Sequence, residues 1–129
     1  MSVEFEISES FPVPPQVVYE TWLDSAGHAA MTGSPASASE VAGDEFTAHD
    51  GYINGKNLEL IPGKLIRQSW RTQQFADSDP DSELEITLEP EGTGTRLTLK
   101  HTKLTGDGTH YKQGWIDHYF APMKTHFEK

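Results

Sequence analysis

Closely spaced turns over the middle of the chain restrict its fold more than any other feature of the sequence. Turn-forming pairs recur at short intervals, at Gly43-Asp44, Asp50-Gly51, Asn54-Gly55, Pro62-Gly63 and within 90–94. Such pairs mark reversals of the backbone. The segments between them predict strands over 45–49, 52–61, 64–72, 83–89 and 95–102. Within the second of these strands, we interpret Asn54-Gly55 as a bulge rather than a break.

The last two predicted strands show the clearest alternation of apolar and polar residues. Their predicted inward positions are Leu84, Ile86, Leu88, Leu97, Leu99 and His101. An antiparallel hairpin would set Glu83, Glu85 and Glu89 across from Arg96 and Lys100 on the outer face. Opposite charges that face each other across two strands stabilise the pairing.

The N-terminal segment predicts one strand followed by two short helices. Residues 3–8 alternate between apolar and polar, which indicates a half-buried strand. Proline is favourable in the first turn of a helix, so Pro14-Pro15 predicts a helix that runs to Leu23. The predicted buried face of this helix holds Val17, Val18, Thr21 and Trp22. Ser25 is the predicted N-cap of a second helix through Ala30.

The C-terminal segment predicts a long amphipathic helix that begins at Thr109, a favourable N-cap residue. Its large apolar residues recur at helical spacing, at Tyr111, Trp115, Ile116, Tyr119, Phe120, Met123 and Phe127. Gly114 costs ~1 kcal/mol relative to alanine inside a helix, so we expect a neighbouring group to approach its backbone closely. Pro122 removes the hydrogen bond to the carbonyl of His118, which predicts a kink or the final turns of the helix.

This order of elements predicts one α+β domain over residues 1–129. A strand and two short helices precede the remaining strands of a curved antiparallel sheet, which has about six to seven strands in all. The long C-terminal helix packs across the concave face of the sheet. Such an arrangement can enclose a cavity, depending on how side chains fill it.

Three stretches of the sequence resemble one protein family. They are 11–22 at the first helix, 66–71 on a middle strand and 113–115 on the last helix. Together with the order of elements, they resemble the helix-grip superfamily, also called START-like, birch-pollen-allergen-like or SRPBCC. Within it, the chain is similar to the C-terminal domain of activators of the heat-shock protein 90 ATPase.

The resemblance implies the helix-grip fold and a role as a chaperone-accessory or protein-interaction domain in the stress response. It also implies a chaperone of the heat-shock protein 90 type as a partner. The eukaryotic activators have a separate N-terminal domain for which this chain has no room. We therefore do not expect this single domain to stimulate the ATPase.

The charge of the chain is strongly asymmetric. Residues 1–55 hold nine acidic residues and no lysine or arginine, and the net charge of the whole chain is −10. Binding to nucleic acid or to anionic lipid depends on basic residues that neutralise phosphate, so both kinds of partner are disfavoured. The acidic residues either keep the protein soluble or steer it toward a basic partner.

Several classes of protein are excluded by what the sequence lacks. It has no cysteine, no apolar run long enough to span a membrane and no basic and apolar leader. Disulfides and cysteine-bound metals are therefore excluded. The remaining prediction is a soluble, cytoplasmic protein.

The histidines do not have the spacing of metal ligands. His110, His118 and His126 follow one another at intervals of eight residues, which separates them by about 12 Å along a helix. We expect no metal, no other cofactor, and histidine rings that reach solvent.

His101 is the exception, because it continues an inward face. It is either a polar group in a ligand cavity, where it could act as a general base, or a partly hydrated residue at the rim of the sheet, which we favour.

Six residues are candidates for lining a cavity: Trp22, Trp70, His101, Tyr111, Trp115 and Tyr119. The aromatic ones either line an apolar pocket or form ordinary core, because aromatic residues dominate the burial of apolar surface. The sequence contains no nucleophile elbow, no P-loop and no dinucleotide-binding fingerprint. We therefore predict no catalytic residue.

Two functions of different classes follow from these observations. The favoured one is the non-enzymatic interaction domain that the resemblance implies. The alternative is a binder of a small apolar molecule between the sheet and the C-terminal helix, in a pocket of roughly 300 Å³ or more. A weaker alternative, an enzyme that acts on polyketide-like substrates through His101, depends on analogy with the superfamily alone.

Overall fold

The computed structural model describes residues 2–73, 75, 78–105 and 109–128, with backbone only for 2, 3, 105, 109 and 110. Over these residues six strands form one antiparallel sheet: β1 (Ser2–Phe11), β2 (Glu45–Ala48), β3 (Ile53–Ile61), β4 (Leu65–Thr72), β5 (Ser82–Glu91) and β6 (Gly94–Thr105). Their order across the sheet is β1-β6-β5-β4-β3-β2. The predicted curved antiparallel sheet of an α+β helix-grip fold is confirmed.

The helices lie in two groups along the chain. Helices α1 (Pro15–Leu23) and α2 (Ser25–Thr32) follow β1. The C-terminal helix consists of α3 (Thr109–Trp115), a π-helical turn (Ile116–Phe120) and α4 (Ala121–Phe127). Among the described residues, no helix is both long enough and apolar enough to cross a membrane. The predicted cap at Thr109 lies outside the described side chains.

The buried face of α1 is shifted by one residue along the chain from the predicted face. Tyr19 is 4% exposed, whereas Val17 is 39% exposed. The N-cap of α2 is also different, because the carboxylate of Asp24 accepts the backbone N–H of Gly27 at 2.8 Å. Ser25 was the wrong choice for this cap. Its hydroxyl instead pairs with the backbone of Ala38, accepting the N–H at 2.9 Å and donating to the carbonyl at 3.2 Å.

The bulge predicted at Asn54-Gly55 lies further along β3. Asn54-Gly55 stays within the regular ladder, with Gly55 paired to Trp70. The register shifts between Asn57 and Glu59 instead. A Cβ atom on Gly55 would overlap the carbonyl oxygen of Ser69. The glycine is therefore explained by the close approach of β4 and not by a bulge.

The predicted hairpin of β5 and β6 is confirmed, and its outer face continues across the sheet. The pairs Glu85–Lys100 and Glu89–Arg96 face each other, while Glu83 is paired with Thr102. In one row across β1, β6, β5, β4 and β3, successive partners are Glu6, Lys100, Glu85, Arg67 and Glu59. We call this row of alternating charges the charge ladder. The guanidinium of Arg67 approaches Glu59 at 3.3 Å.

A π-helical turn comes just before Pro122 in the C-terminal helix. The backbone N–H of Ala121 bonds to the carbonyl of Ile116, five residues earlier. Proline has no N–H to offer and its ring crowds the preceding turn, so the wider π-turn relieves the helix at this point. The helix then continues as α4, which contacts α2 and β1.

Candidate ligand pocket

An open pocket of about 380 Å³ lies between the sheet and the C-terminal helix. Its wall, called the pocket wall below, is formed by His49, Tyr52, Ile53, Trp70, Tyr111, Gly114, Trp115, His118 and Tyr119. No Asp, Glu, Lys or Arg is among these described residues. The described part of the chain also contains no group of three or more potential metal ligands. The site is thus a mainly aromatic cleft with a few hydrogen-bonding groups.

The six candidate residues from the sequence occupy two layers. Four belong to the pocket wall: Trp70, Tyr111, Trp115 and Tyr119. Trp22 and His101 lie behind them in the core, 2% and 0% exposed. Trp22 stacks on Tyr119 and on Trp115, with ring centroids 5.0 Å and 6.3 Å apart. The inner layer therefore fixes the orientation of the rings that face the pocket.

Gly114 does not have the close neighbour that we expected from its place in a helix. A Cβ atom built on it would meet nothing within 4 Å among the described residues. The expectation was wrong because Gly114 faces the pocket, where none of the described elements packs against it. Its missing side chain enlarges the pocket.

His101 lies deep in the core, so the favoured interpretation of a hydrated residue at the rim was wrong. The reason is that β6 continues to Thr105, which places His101 within the sheet. The indole N–H of Trp115 donates to Nδ1 at 3.1 Å. The proton of the neutral ring is therefore on Nε2, which donates to the hydroxyl of Ser82 at 2.8 Å. That hydroxyl in turn donates to the carbonyl of Trp70 at 2.6 Å.

The surroundings of His101 favour a structural role. Burial lowers the pKa of His101 to about 3, so the ring is neutral at physiological pH. Both ring nitrogens are hydrogen-bonded and the side chain is outside the pocket wall. This geometry gives no support for His101 as a general base, since a base must reach the proton it removes.

His28 is a second buried histidine, contrary to our expectation of rings in solvent. Its Nδ1 donates to the carbonyl of Trp22 at 2.8 Å, and its Nε2 accepts the hydroxyl of Tyr119 at 2.8 Å. Burial lowers the pKa of His28 to about 4 and raises the pKa of Tyr119. The sequence did contain a signal, because His28 and the buried Met31 are three residues apart on one face of α2.

His49 and His118 are pocket residues that the sequence analysis missed. Their ring centroids are 6.1 Å apart, and the ring of His49 also packs edge-on against Tyr119 at 5.2 Å. His49 and Asp50 have positive φ angles of 49° and 57°, a conformation that histidine and aspartate adopt more readily than most residues. Burial, and secondarily the nearby His118, lowers the pKa of His49.

The fold and the pocket define a helix-grip, START-like protein, with a curved antiparallel sheet closed on one side by a C-terminal helix. The sequence profile of one family in this class, described as Activator of Hsp90 ATPase homolog 1-like protein, matches residues 12–128. The chain belongs to this family.

The relatives share the sequence over nearly all of this chain. It is 24% identical over 131 residues to the human activator of 90 kDa heat shock protein ATPase homolog 1, covering 94% of this chain and 36% of the human protein. It is 30% identical over 125 residues to an uncharacterized protein of Schizosaccharomyces pombe, covering 95% of this chain and 37% of that protein. This chain thus spans little more than a third of either relative.

A solved structure agrees with the assignment of the fold. The crystal structure of an HSP90 activator from Plasmodium falciparum superposes with a TM-score of 0.85 and 23% sequence identity. The match covers 95% of this chain and 94% of that one. At this level of identity, the likeness is evidence for the fold alone.

Proposed function

We propose that this chain binds a small, mainly apolar molecule in the aromatic pocket. The observation that carries the proposal is the pocket itself, about 380 Å³ in volume and bordered by Trp70, Tyr111, Trp115 and Tyr119. Sites for small molecules are typically clefts of roughly 300–1,000 Å³ with an apolar lining and a few polar groups. This pocket fits that description in size and in lining.

Gly114 provides independent support for the proposal that this pocket binds a ligand. A glycine inside a helix is less favourable than alanine by ~1 kcal/mol. The pocket has room for a larger side chain at this position, since a Cβ atom would meet no described residue within 4 Å. Stability alone would therefore favour alanine or leucine at position 114. The glycine is consistent with a pocket that must stay open.

Thermal unfolding in the presence of a panel of apolar and aromatic molecules tests this proposal. A ligand that binds only the native state, at about 100 times its dissociation constant, adds roughly 2.7 kcal/mol of stability. For a chain of this length, the midpoint of unfolding should rise by roughly 4 °C or more. A panel without any reproducible shift would contradict the proposal.

Gly114→Leu is the matched control for this experiment. Leucine is a much better helix former than glycine. Without ligand, the free energy of unfolding of the variant should therefore equal that of the parent or exceed it by up to about 1 kcal/mol. Its side chain would occupy the pocket and should abolish the shift that the ligand causes. If a ligand stabilises Gly114→Leu as much as the parent, it binds elsewhere.

A second candidate function is binding to a chaperone of the heat-shock protein 90 type in the cytoplasm, as an accessory domain in the stress response. Membership of the activator family favours it, as does the human relative named as such an activator. The nine acidic residues in 1–55, without a lysine or arginine among them, would attract a basic surface. Whether the relatives' function extends to this shorter chain is part of the proposal.

The second candidate predicts binding that depends on salt. We expect the affinity for a purified heat-shock protein 90 chaperone to fall by about tenfold between about 0.05 M and 0.5 M salt, because screening weakens attraction between exposed charges. Calorimetric titration measures this directly. Replacing the exposed pair Asp44 and Glu45 by Asn and Gln should weaken binding at low salt. Binding that is absent, or equally tight at both salt concentrations, would argue against this function.

A further inference from the structure

One residue of the pocket wall has a ring nitrogen without a hydrogen-bond partner among the described residues. Nε2 of His49 is enclosed and forms no hydrogen bond within the part of the chain that the structure describes. His49 belongs to the pocket wall. Leaving a buried polar atom unpaired is unfavourable, because the atom has lost its hydrogen bonds to water. A ligand that supplied the missing partner would recover this free energy on binding.

Three other polar groups of the pocket wall already have partners. The hydroxyl of Tyr119 donates to His28, and the indole N–H of Trp115 donates to His101. The hydroxyl of Tyr111 bonds with Thr72 at 3.0 Å. His49 is the residue of the described pocket wall that has an enclosed side-chain polar atom without a partner.

The character of the pocket wall restricts the charge of its ligand. Its described residues include no Asp, Glu, Lys or Arg, so a charged ligand would lose its hydration without gaining an ion partner. Moving a charged group from water into an apolar pocket is costly, whereas the cost for an uncharged polar group is offset by one hydrogen bond. A neutral imidazole has one donor and one acceptor nitrogen. A hydroxyl group can pair with either one.

We propose that the ligand is an uncharged aromatic molecule with a hydroxyl group that hydrogen-bonds to the imidazole of His49. Its rings pack against Trp70, Trp115 and Tyr119, in the space left by Gly114. The imidazole turns about its Cβ–Cγ bond to present Nε2 to the pocket. This inference rests on the proposed function and specifies the class of its ligand.

Three probes of one size test the inference: naphthol, naphthalene and the naphthoate anion. Their dissociation constants for the complete chain are measured by equilibrium dialysis near neutral pH. Naphthol should bind about three- to tenfold more tightly than naphthalene, which corresponds to the ~0.5–1.5 kcal/mol of one net hydrogen bond. Naphthoate should bind most weakly, because its charge has no partner in the described pocket wall.

Variants of His49 separate this contact from general apolar binding. In His49→Leu, naphthol and naphthalene should bind equally, whereas His49→Gln should retain part of the preference because an amide can hydrogen-bond. His126→Leu is the matched control, since His126 is a half-buried histidine on α4 outside the pocket wall. It should keep the full preference.

The possible results distinguish failure of the inference from failure of the proposed function. Equal binding of naphthol and naphthalene to the parent protein would overturn the inference and leave the apolar pocket intact. So would tightest binding of naphthoate, or a preference for naphthol that survives in His49→Leu. If none of the three probes binds, the proposed function itself is overturned.

Discussion

Replacement of His101 by alanine should lower the free energy of unfolding by about 3–5 kcal/mol, the range for truncation of a large buried ring. The side chain is fully buried. Its loss would leave a cavity between β5, β6 and the C-terminal helix. It would also leave the indole N–H of Trp115 without its acceptor, and an unpaired buried donor alone costs ~1–3 kcal/mol.

Denaturation by urea, monitored by tryptophan fluorescence and by circular dichroism, measures this loss. His101→Gln is the informative control. Its amide can accept the hydrogen bond from Trp115 and donate one to Ser82, so it should be clearly more stable than His101→Ala. A loss below about 1 kcal/mol in the alanine variant, well under the usual range for such truncations, would show that the network contributes little.

Acidification should destabilise the protein strongly through its two buried histidines. In the unfolded chain, His28 and His101 titrate near the ordinary value of 6.5, whereas burial lowers the pKa to about 4 and about 3 in the native state. Below pH 6.5 the unfolded state thus binds protons that the native state cannot bind. The contribution of the two histidines to stability is therefore fully present above their unfolded-state pKa, and it is lost as the pH falls toward their native-state pKa values. At about pH 5, each histidine should have lowered the free energy of unfolding by roughly 2 kcal/mol.

Urea denaturation at several pH values between about 7.5 and 5 measures this dependence. His101→Gln should remove about half of the contribution of the two histidines, since an amide does not titrate over this range. A stability that is flat over this interval, or a slope that is unchanged in His101→Gln, would contradict the assignment of a neutral buried network.

Local alternation predicted the sheet well, because each strand buries one face whatever its neighbours are. Leu97, Leu99 and His101 point inward as their spacing indicates. Details that depend on the partner element were not predictable in this way. The buried face of α1 is determined by the elements that cover it, and the bulge at Asn57 and Glu59 by the pairing of β3 with β4.

The pocket was only partly predictable for the same reason. Helical spacing grouped Tyr111, Trp115 and Tyr119 on one face, and the structure does bring them together with Trp70. The pairing of His49 with His118 joins a turn after β2 to the π-helical turn, and no local pattern relates two such distant segments. The expectation for Gly114 was wrong for a related reason. A glycine inside a helix indicates that the space beside its backbone must stay free of a side chain, but it does not indicate whether another element or a pocket lies there.

The charge ladder has a consequence for how related sequences can differ. Each interior member, such as Lys100 between Glu6 and Glu85, has an opposite charge on both sides. Reversing one sign would create two like-charged pairs, each unfavourable by a fraction of a kcal/mol to about 1 kcal/mol. Reversing every sign would leave all pairs intact. The five positions should therefore covary among homologues, with their relative signs preserved while the absolute signs remain free to change.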